Sequence, residues 1–190
     1  FNIVYDCGNL RNTKAANGVV SQAFDKNDTI NVLFISHFDF DHVSMIKKLI
    51  KTVKSIDTVV MPLLHKNDIV LIKAFNHFHA NSSDVEKLIE NPKSFFGEGT
   101  RVVSVRPTDK SESPIENDEI FINLEDLYDK AKIESGTKIR LCCAYDWIFI
   151  PYNYDDKNRS IQLSNTLKAN EIEVNHIGGR GARGQDRRGV

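Results

Sequence analysis

Apolar runs separated by polar turns predict a chain that alternates between strands and helices. Residues 1–8, 29–36, 57–62 and 101–105 are typical of strands. The second of these runs is almost continuously apolar, as in a strand that is buried on both faces. The alternation predicts an α/β fold built on a layered sheet.

The period of the pattern changes after residue 42. Apolar residues then recur at helical spacing, which predicts a helix over residues 43–53. With the strands on either side, this helix predicts a β-α-β unit. Four lysines occupy its other face: Lys47, Lys48, Lys51 and Lys54. The lysine face is most simply a solvated surface, and attraction of phosphate is the alternative.

The remaining segments predict shorter elements. Helices are expected over residues 19–24, 84–89, 124–133 and 160–170, and Pro92 is expected to end the second of them. Strands are expected over residues 120–122, 138–143, 147–153 and 172–174, with the middle two forming an antiparallel pair. Loops are expected over residues 9–18, 94–99 and 108–118.

Four side chains that can bind metals lie between the second strand and the helix: His37, Asp39, Asp41 and His42. In an extended segment the first three project to one side, and His42 leaves that line where the helix begins. Two imidazoles and two carboxylates directed at one point predict a pocket for one or two divalent cations. The alternative is a solvated acidic loop beside a strand.

Other histidines are weaker candidates. His65 follows the strand over residues 57–62 at the same sheet edge, so it is a candidate for lining the pocket. A polar loop histidine is the alternative for this position. His77 and His79 form a His-x-His pair without a following Asp-His, which favours a helix end or a loop.

The motif SHxDxDH over residues 36–42 resembles that of the metallo-β-lactamase superfamily, whose usual form is His-x-His-x-Asp-His. Asp at the second ligand position is similar to the nuclease-like and competence-related (ComEC-type) branch. Residues 3–8, Ile-Val-Tyr-Asp-Cys-Gly, are similar to the family element of a hydrophobic strand followed by Asp, Cys or Thr, and Gly. The resemblance covers about the first third of the chain.

The resemblance implies a four-layer αββα sandwich, whole or partial, over residues 1–174. It implies a metal-dependent hydrolase in which His37 and Asp39 hold one ion and Asp41 and His42 hold another. A metal-activated water would attack a phosphodiester or another ester, and Asp41 would position that water and accept its proton. Asp39 makes the ligand set harder, so Mn²⁺ or Mg²⁺ competes with Zn²⁺. Asp6 would orient a ligand, or alternatively cap the next turn.

The family completes its site with a later His, a Gly-Asp after a strand and a final His. No Gly-Asp matches that pattern here, and the other histidines are His65, His77, His79 and His176. The alternative function is therefore a catalytically inactive metal-binding or interaction module with the same fold. A site with fewer fixed donors binds its ion more weakly.

Composition indicates the class of protein and the compartment to expect. The chain has 190 residues, of which 41% are hydrophobic, and this suits one globular domain. A net charge of −1 neither requires nor forbids nucleic acid, so the expected substrate is a small-molecule or nucleic-acid phosphoester. The cysteines are Cys7, Cys142 and Cys143, which give no disulfide framework and indicate a reducing, cytoplasmic location. No run approaches the roughly 18 apolar residues of a membrane span.

Two late segments have unusual composition. Trp147, Phe149, Tyr152 and Tyr154 concentrate aromatic rings, which favours a core or a sheet face; a platform that stacks a base or ring is the alternative. Residues 175–190 hold five glycines and four arginines and are expected to be a flexible tail. This tail is either an RNA-attracting segment, the mark of a truncation, or added sequence.

Overall fold

A computed structural model describes residues 1–10, 14–79, 83–109, 121–141 and 147–156, with single positions 158, 161, 162, 165, 166 and 169. The helices are α1 (Lys14–Ala23), α2 (Phe40–Val43), α3 (Ile46–Thr52), α4 (Lys66–His79), α5 (Ser83–Glu90) and α6 (Pro92–Phe96). The strands are β1 (Ile3–Tyr5), β2 (Thr29–Phe34), β3 (Ser55–Pro62), β4 (Arg101–Val105), β5 (Pro107–Asp109), β6 (Phe121–Asn123), β7 (Lys132–Ile133), β8 (Lys138–Arg140), β9 (Ile148–Phe149) and β10 (Asn153–Asp155). A 3-10 helix spans Leu124–Asp126.

The main sheet has the strand order β1-β2-β3-β4-β7, and every pair in it is parallel. The pairing places Tyr5 beside Phe34 and Phe34 beside Val60. Parallel strands joined by helices are what the β-α-β pattern predicts, so the α/β class is confirmed. The carboxyl ends of β1, β2 and β3 therefore lie together at one edge of the sheet.

Side chains alternate between two hydrophobic clusters, one on each face of the sheet. Leu33 and Val59 belong to a cluster that also contains apolar residues of α2, α3, α5 and α6. Val32, which precedes Leu33, and Val60, which follows Val59, belong to a second cluster. That cluster also contains residues of β8 and of the 3-10 helix. This period of two is what a sheet buried on both faces requires.

The second face is covered by a smaller sheet with the order β6-β8-β9. In it β8 and β9 are antiparallel, as predicted. Phe149 of β9 stacks on Phe34 of β2, with ring centroids 4.8 Å apart. Offset ring stacking adds to the apolar burial that joins the two sheets. The described residues thus include a helical layer, a parallel sheet and a second sheet.

The helix predicted over residues 43–53 is divided into α2 and α3. The amide of Met45 donates to the carbonyl of Cys7 at 3.0 Å, so it does not continue the helical ladder. The backbone of Met45, with φ −104° and ψ 0°, lies outside the helical range. The interruption ties the start of α3 to the end of β1.

Two predicted loops are partly wrong. Residues 14–18 belong to α1, which begins five residues earlier than the predicted helix. Residues 94–96 belong to α6. The helix before Pro92 does end, at Glu90, as predicted, and Pro92 begins α6 because Pro is compatible with the first helical turn. The side chain of Asn91 accepts a hydrogen bond from the amide of Ser94 at 3.0 Å and caps that helix.

The predicted helix over residues 124–133 is also wrong. Leu124, Leu127 and Ala131 are buried and have helical spacing, but only one 3-10 turn forms there. Lys130 has a left-handed φ of 64°, and its amide donates to the carbonyl of Val102 at 2.8 Å. The segment therefore follows β4 and ends as β7.

The predicted strand over residues 147–153 is divided between two sheets. β9 ends before Pro151, which has no amide hydrogen to donate to a sheet. Beyond it, β10 pairs with β5. The loop predicted over residues 108–118 therefore begins within a strand, at Thr108 and Asp109.

Several predictions fall wholly or partly on residues that are not described. They concern the acidic loop beyond residue 109, Cys142 and Cys143, the strand over 172–174, and the tail over 175–190 with His176. In the predicted helix over 160–170, the described positions are helical: 161, 162, 165, 166 and 169. Within the described part of the chain, no helix is long and apolar enough to cross a membrane.

Candidate metal centre

The centre is built where β1 ends. Asp6 follows β1 with a left-handed φ of 55°, a conformation that Asp tolerates better than most residues. Its amide donates to the carbonyl of Phe34 at 2.8 Å, and the next amide, of Cys7, donates to the carbonyl of His42 at 2.8 Å. The chain therefore turns across the end of β2 and meets the motif at its last residue.

The Asp6 carboxylate joins both ends of the motif. Its Oδ1 accepts a hydrogen bond from the amide of Ser36 at 2.8 Å. Its Oδ2 lies 2.6 Å from Oγ of Ser36 and 2.8 Å from Nδ1 of His42. Oγ of Ser36 in turn lies 2.8 Å from Nδ1 of His37. One carboxylate thus orients His42 directly and His37 through a serine.

These contacts determine which ring nitrogens hold protons. A carboxylate at neutral pH only accepts hydrogen bonds, so Ser36 and Nδ1 of His42 must both donate to Asp6. Ser36 has a single hydroxyl proton, so its Oγ must accept from Nδ1 of His37. Both imidazoles therefore have Nδ1 protonated, so that Nε2 is the atom that a neutral ring offers to a metal.

Each Nε2 faces a motif carboxylate. Nε2 of His37 lies 3.5 Å from Oδ2 of Asp39. Nε2 of His42 lies 3.6 Å from Oδ2 of Asp41. Two ligand atoms that are each about 2.1 Å from one tetrahedral ion lie about 3.4 Å apart. Both pairs therefore have the separation that a shared ion requires.

Asp6 has a different relation to the same histidines. One donor atom from each of Asp6, His37 and His42 can be chosen so that all lie within 4.8 Å of one another. The 2.8 Å between Asp6 and His42, however, is a hydrogen-bond length and is shorter than the distance between two ligands of one ion. The contacts fit an orienting role for Asp6 better than a ligand role.

The two imidazoles are also in contact. Their ring centroids are 3.8 Å apart, with the ring planes inclined at 47°. The side chains of His37 and His42 are partly exposed, and Asp39 is more exposed than Asp41. The four predicted ligands thus form two His–Asp pairs whose imidazoles are in contact, and all four are accessible from solvent. They are not directed at one point, because no group of three mutually close donors among the described residues includes Asp39 or Asp41.

Gly8 allows the close approach on which this arrangement depends. A Cβ at this position would lie 2.6 Å from the carbonyl carbon of His42 and closer still to the carbonyl oxygen of Asp41. Any side chain at residue 8 would therefore displace the backbone of the motif. Ser44 lies on the other side, and its Oγ accepts from the amide of Asn9 at 2.9 Å.

Cys7 lies beneath the centre and packs against the first core cluster. Burial, reinforced by the negative charge of Asp6, raises the pKa of its thiol to about 11. A cysteine with so high a pKa is a thiol at neutral pH and a poor metal ligand. The packing identifies Cys7 as a structural residue of this turn.

A cavity of about 670 Å³ adjoins the centre. His37 and Asp39 line one side of it, and His65, which precedes α4, lines another. His65 therefore does line a pocket, and its Nε2 lies 3.7 Å from Oδ2 of Asp155 at the end of β10. The side chains of His77 and His79 lie outside what is described, although their backbone forms the end of α4.

The lysine face of α3 is directed away from this cavity. None of Lys47, Lys48, Lys51 and Lys54 is among the described residues that line it. Lys47 forms an ion pair with Asp84 of α5 at 2.7 Å. These observations favour the solvated-surface interpretation over phosphate attraction.

Comparison with protein-family models, with curated proteins and with solved structures finds no match for this chain. The resemblance to the metallo-β-lactamase superfamily therefore rests on the motif and on the end of β1. What can be argued about function comes from the geometry described above.

Ser36 is the functional residue to which the sequence assigned no role. It was recognised as part of the motif, but its link between Asp6 and His37 depends on β1 and β2 being adjacent. The parallel order of those strands was the available signal, because a residue after β1 and one after β2 then meet at the same edge.

Proposed function

We propose that the chain is a metal-dependent hydrolase that cleaves a phosphodiester or another ester. The observation that supports this most is the pair of Nε2–Oδ2 separations, 3.5 Å and 3.6 Å, with both imidazoles oriented by one partly buried network of hydrogen bonds. His37 and Asp39 would hold one divalent cation, Zn²⁺ or Mn²⁺, and Asp41 and His42 a second. Such cations lower the pKa of a water molecule and stabilise negative charge that develops on the substrate.

Asp6, Ser36 and Asp41 would have separate roles in this centre. Asp6 and Ser36 keep both imidazoles in the tautomer that leaves Nε2 free, so the ligands need no rearrangement when cations bind. Asp41 lies at the first turn of α2, where a carboxylate is stabilised by the positive end of the helix. We assign it the additional task of positioning the attacking water and accepting its proton.

The layers also agree with this proposal. Helices, the parallel sheet and the smaller sheet would be three of the four layers of an αββα sandwich. The motif lies at the carboxyl ends of parallel strands, where ligand sites of layered α/β proteins are usually found.

A metal titration and a hydrolysis assay test the proposal together. We expect up to two ions per chain by elemental analysis, and turnover of a generic phosphodiester with Zn²⁺ or Mn²⁺. Asp41→Asn should abolish turnover and leave the melting temperature of the metal-free protein almost unchanged. Asp126→Asn, an exposed carboxylate in the 3-10 turn, serves as the matched control and should retain full activity. Full turnover by Asp41→Asn would contradict its role.

A metal-binding or interaction module without catalytic activity is the second candidate. Each ion would have two protein ligands from the motif, whereas catalytic zinc sites usually have three. No further donor completes either pair among the described residues. One loosely held ion and no turnover with any ester would favour this candidate.

A further inference from the structure

A second cavity, of about 240 Å³, adjoins the larger one. The two share four lining residues: Ser36, Pro62, Tyr152 and Asn153. Ser36 is the residue that links Asp6 to His37. A molecule that reaches from one cavity into the other therefore passes the metal centre.

The smaller cavity is lined almost entirely by apolar and aromatic groups. Phe34, Val60 and Val105 form its floor at the ends of β2, β3 and β4, and Phe149 stands beside Phe34. Tyr5 and Ile150 border it and are exposed by 70% and 52% of their surface. Large apolar side chains exposed around a concave surface are typical of a ligand site.

The size of this cavity indicates what it can hold. A cavity of about 150 Å³ lined by apolar side chains is enough to bind benzene. The smaller cavity here is about 240 Å³, so it has room for one aromatic ring with a substituent, or for two fused rings.

The larger cavity has a charge that disfavours one class of substrate. The described residues around it include Asp39, Asp68, Asp155 and Asp156, and none is lysine or arginine. Cations bound by the motif would offset Asp39, and His65 lies 3.7 Å from Asp155. A polyanion such as a nucleic-acid strand would be repelled along this wall.

We propose that the smaller cavity binds an uncharged aromatic ring attached to the ester that the metal centre cleaves. The substrate would be a small aryl or heteroaryl ester, and its ring would pack beside Phe149 while its ester group lies next to Ser36 and His37. The part of this proposal that concerns the ester rests on the proposed hydrolase function. The part that concerns binding of the ring does not.

Ring binding can be measured on the metal-free full chain, where no hydrolysis occurs. The probe is 4-fluorophenol, followed by ¹⁹F NMR line broadening, with 2,2,2-trifluoroethanol as a probe without a ring. Saturable binding is expected for 4-fluorophenol alone. Tyr5→Ala and Ile150→Ala should each weaken it by about tenfold, which is the effect of a lost apolar contact in a pocket.

Tyr128→Ala is the control. Tyr128 is 73% exposed and lines neither cavity. It should bind the probe like the unchanged protein. Tyr5→Phe, which keeps the ring, should also retain binding, and melting temperatures establish that every variant is folded.

The outcomes separate the two proposals. Ring binding by the unchanged protein that is weakened in Tyr5→Ala and Ile150→Ala supports the ring site. If that result is obtained and no ester is hydrolysed, only the proposed hydrolase function fails. Equal binding of both probes, or unchanged binding in both alanine variants, would overturn the ring site. Displacement of 4-fluorophenol by a single-stranded decanucleotide would also overturn it, in favour of a nucleic-acid substrate.

Discussion

Asp6 accepts a hydrogen bond at 2.8 Å from Nδ1 of His42, which is 36 residues further along the chain. The same carboxylate accepts from the hydroxyl of Ser36 at 2.6 Å, and that hydroxyl accepts from His37. The orientation of both imidazoles therefore depends on one carboxylate at the end of β1, and substitutions there test the centre without removing a ligand.

Asp6→Asn should weaken metal binding by about 10–100-fold, as is usual for residues that orient a ligand. Asn tolerates the left-handed backbone, but it has one acceptor oxygen in place of two, so it cannot accept from the Ser36 amide as well as from the Ser36 hydroxyl and His42. If the Asn amide donates to His42, the proton of that imidazole moves to Nε2 and blocks the ligand atom.

Nitrogen NMR of the metal-free protein checks this prediction directly. In the unchanged chain, His37 and His42 should both show the tautomer protonated at Nδ1, and Asp6→Asn should alter His42. Metal affinity is measured in parallel by calorimetry. A variant with unchanged tautomers and unchanged affinity would remove Asp6 from the centre.

Gly8→Ala should prevent metal binding or lower the free energy of unfolding by several kcal/mol. Its Cβ would overlap the backbone of Asp41 and His42, which cannot move aside as a flexible side chain would. Thermal melting and metal titration measure the two effects. Gly18→Ala, in α1, is the control, because a Cβ there meets nothing within 4 Å. It should stabilise the protein by about 1 kcal/mol through helix propensity.

Asp129 should stabilise the fold at neutral pH and lose this effect in acid. The hydrogen bond from the amide of Val102 at 3.0 Å, aided by Lys93 at 3.1 Å, lowers the pKa of its carboxyl group. A lowered pKa means that the contribution is complete above the unfolded value of about 3.9 and is lost as the pH falls through the folded value.

Asp129→Ala should therefore lower the unfolding free energy at pH 7 by about 1 kcal/mol, the usual worth of such a hydrogen bond at a partly exposed site. The difference from the unchanged protein should shrink below a pH of about 4. Urea unfolding at several pH values measures it. Asp129→Asn, which can still accept from Val102, should lose less at neutral pH.

Cys7 should react slowly with iodoacetamide at pH 8, because its pKa of about 11 leaves little thiolate. The rate is measured with Cys142 and Cys143 replaced by Ser. Since burial raises the pKa of the thiol from its usual value of 9.0 to about 11, stability should fall as the pH rises from 9 to about 11. Cys7→Ala should lessen that fall. Rapid labelling of native protein at pH 8 would contradict the burial of the thiol.

The sequence predicted the parallel core of the fold well, because its signals there are local. β2 belongs to an almost continuous apolar run, and β3 and β4 are rich in valine; the structure places all three strands within two residues of the predicted bounds. The same reasoning failed over residues 124–133, where buried residues have helical spacing but most of the segment is not helical. The hydrogen bond from the amide of Lys130 to the carbonyl of Val102 attaches this segment to β4 instead. The spacing of buried apolar residues alone cannot distinguish a helix from such a segment.

The sequence named the four candidate ligands, whose binding of metal stays a prediction. The resemblance also implied an orienting role for Asp6, but Ser36 was assigned no role. His37, Asp39, Asp41 and His42 are close in sequence, so their meeting needs little information beyond the turn itself. The contact of Asp6 with Ser36 joins residues 30 apart and follows only from the pairing of β1 with β2. Tertiary contacts of this kind are not encoded in any local pattern.

The short strand β1 gives the molecule a further property. Within the described sheet it is a terminal strand of three residues, bonded to β2 on one side. Strands of this kind detach more readily than the interior of a sheet. In the proposed metal centre, cation occupancy and attachment of this strand would be linked equilibria: fraying of β1 would release bound ions well before global unfolding, and saturating ions would slow amide exchange in the first eight residues.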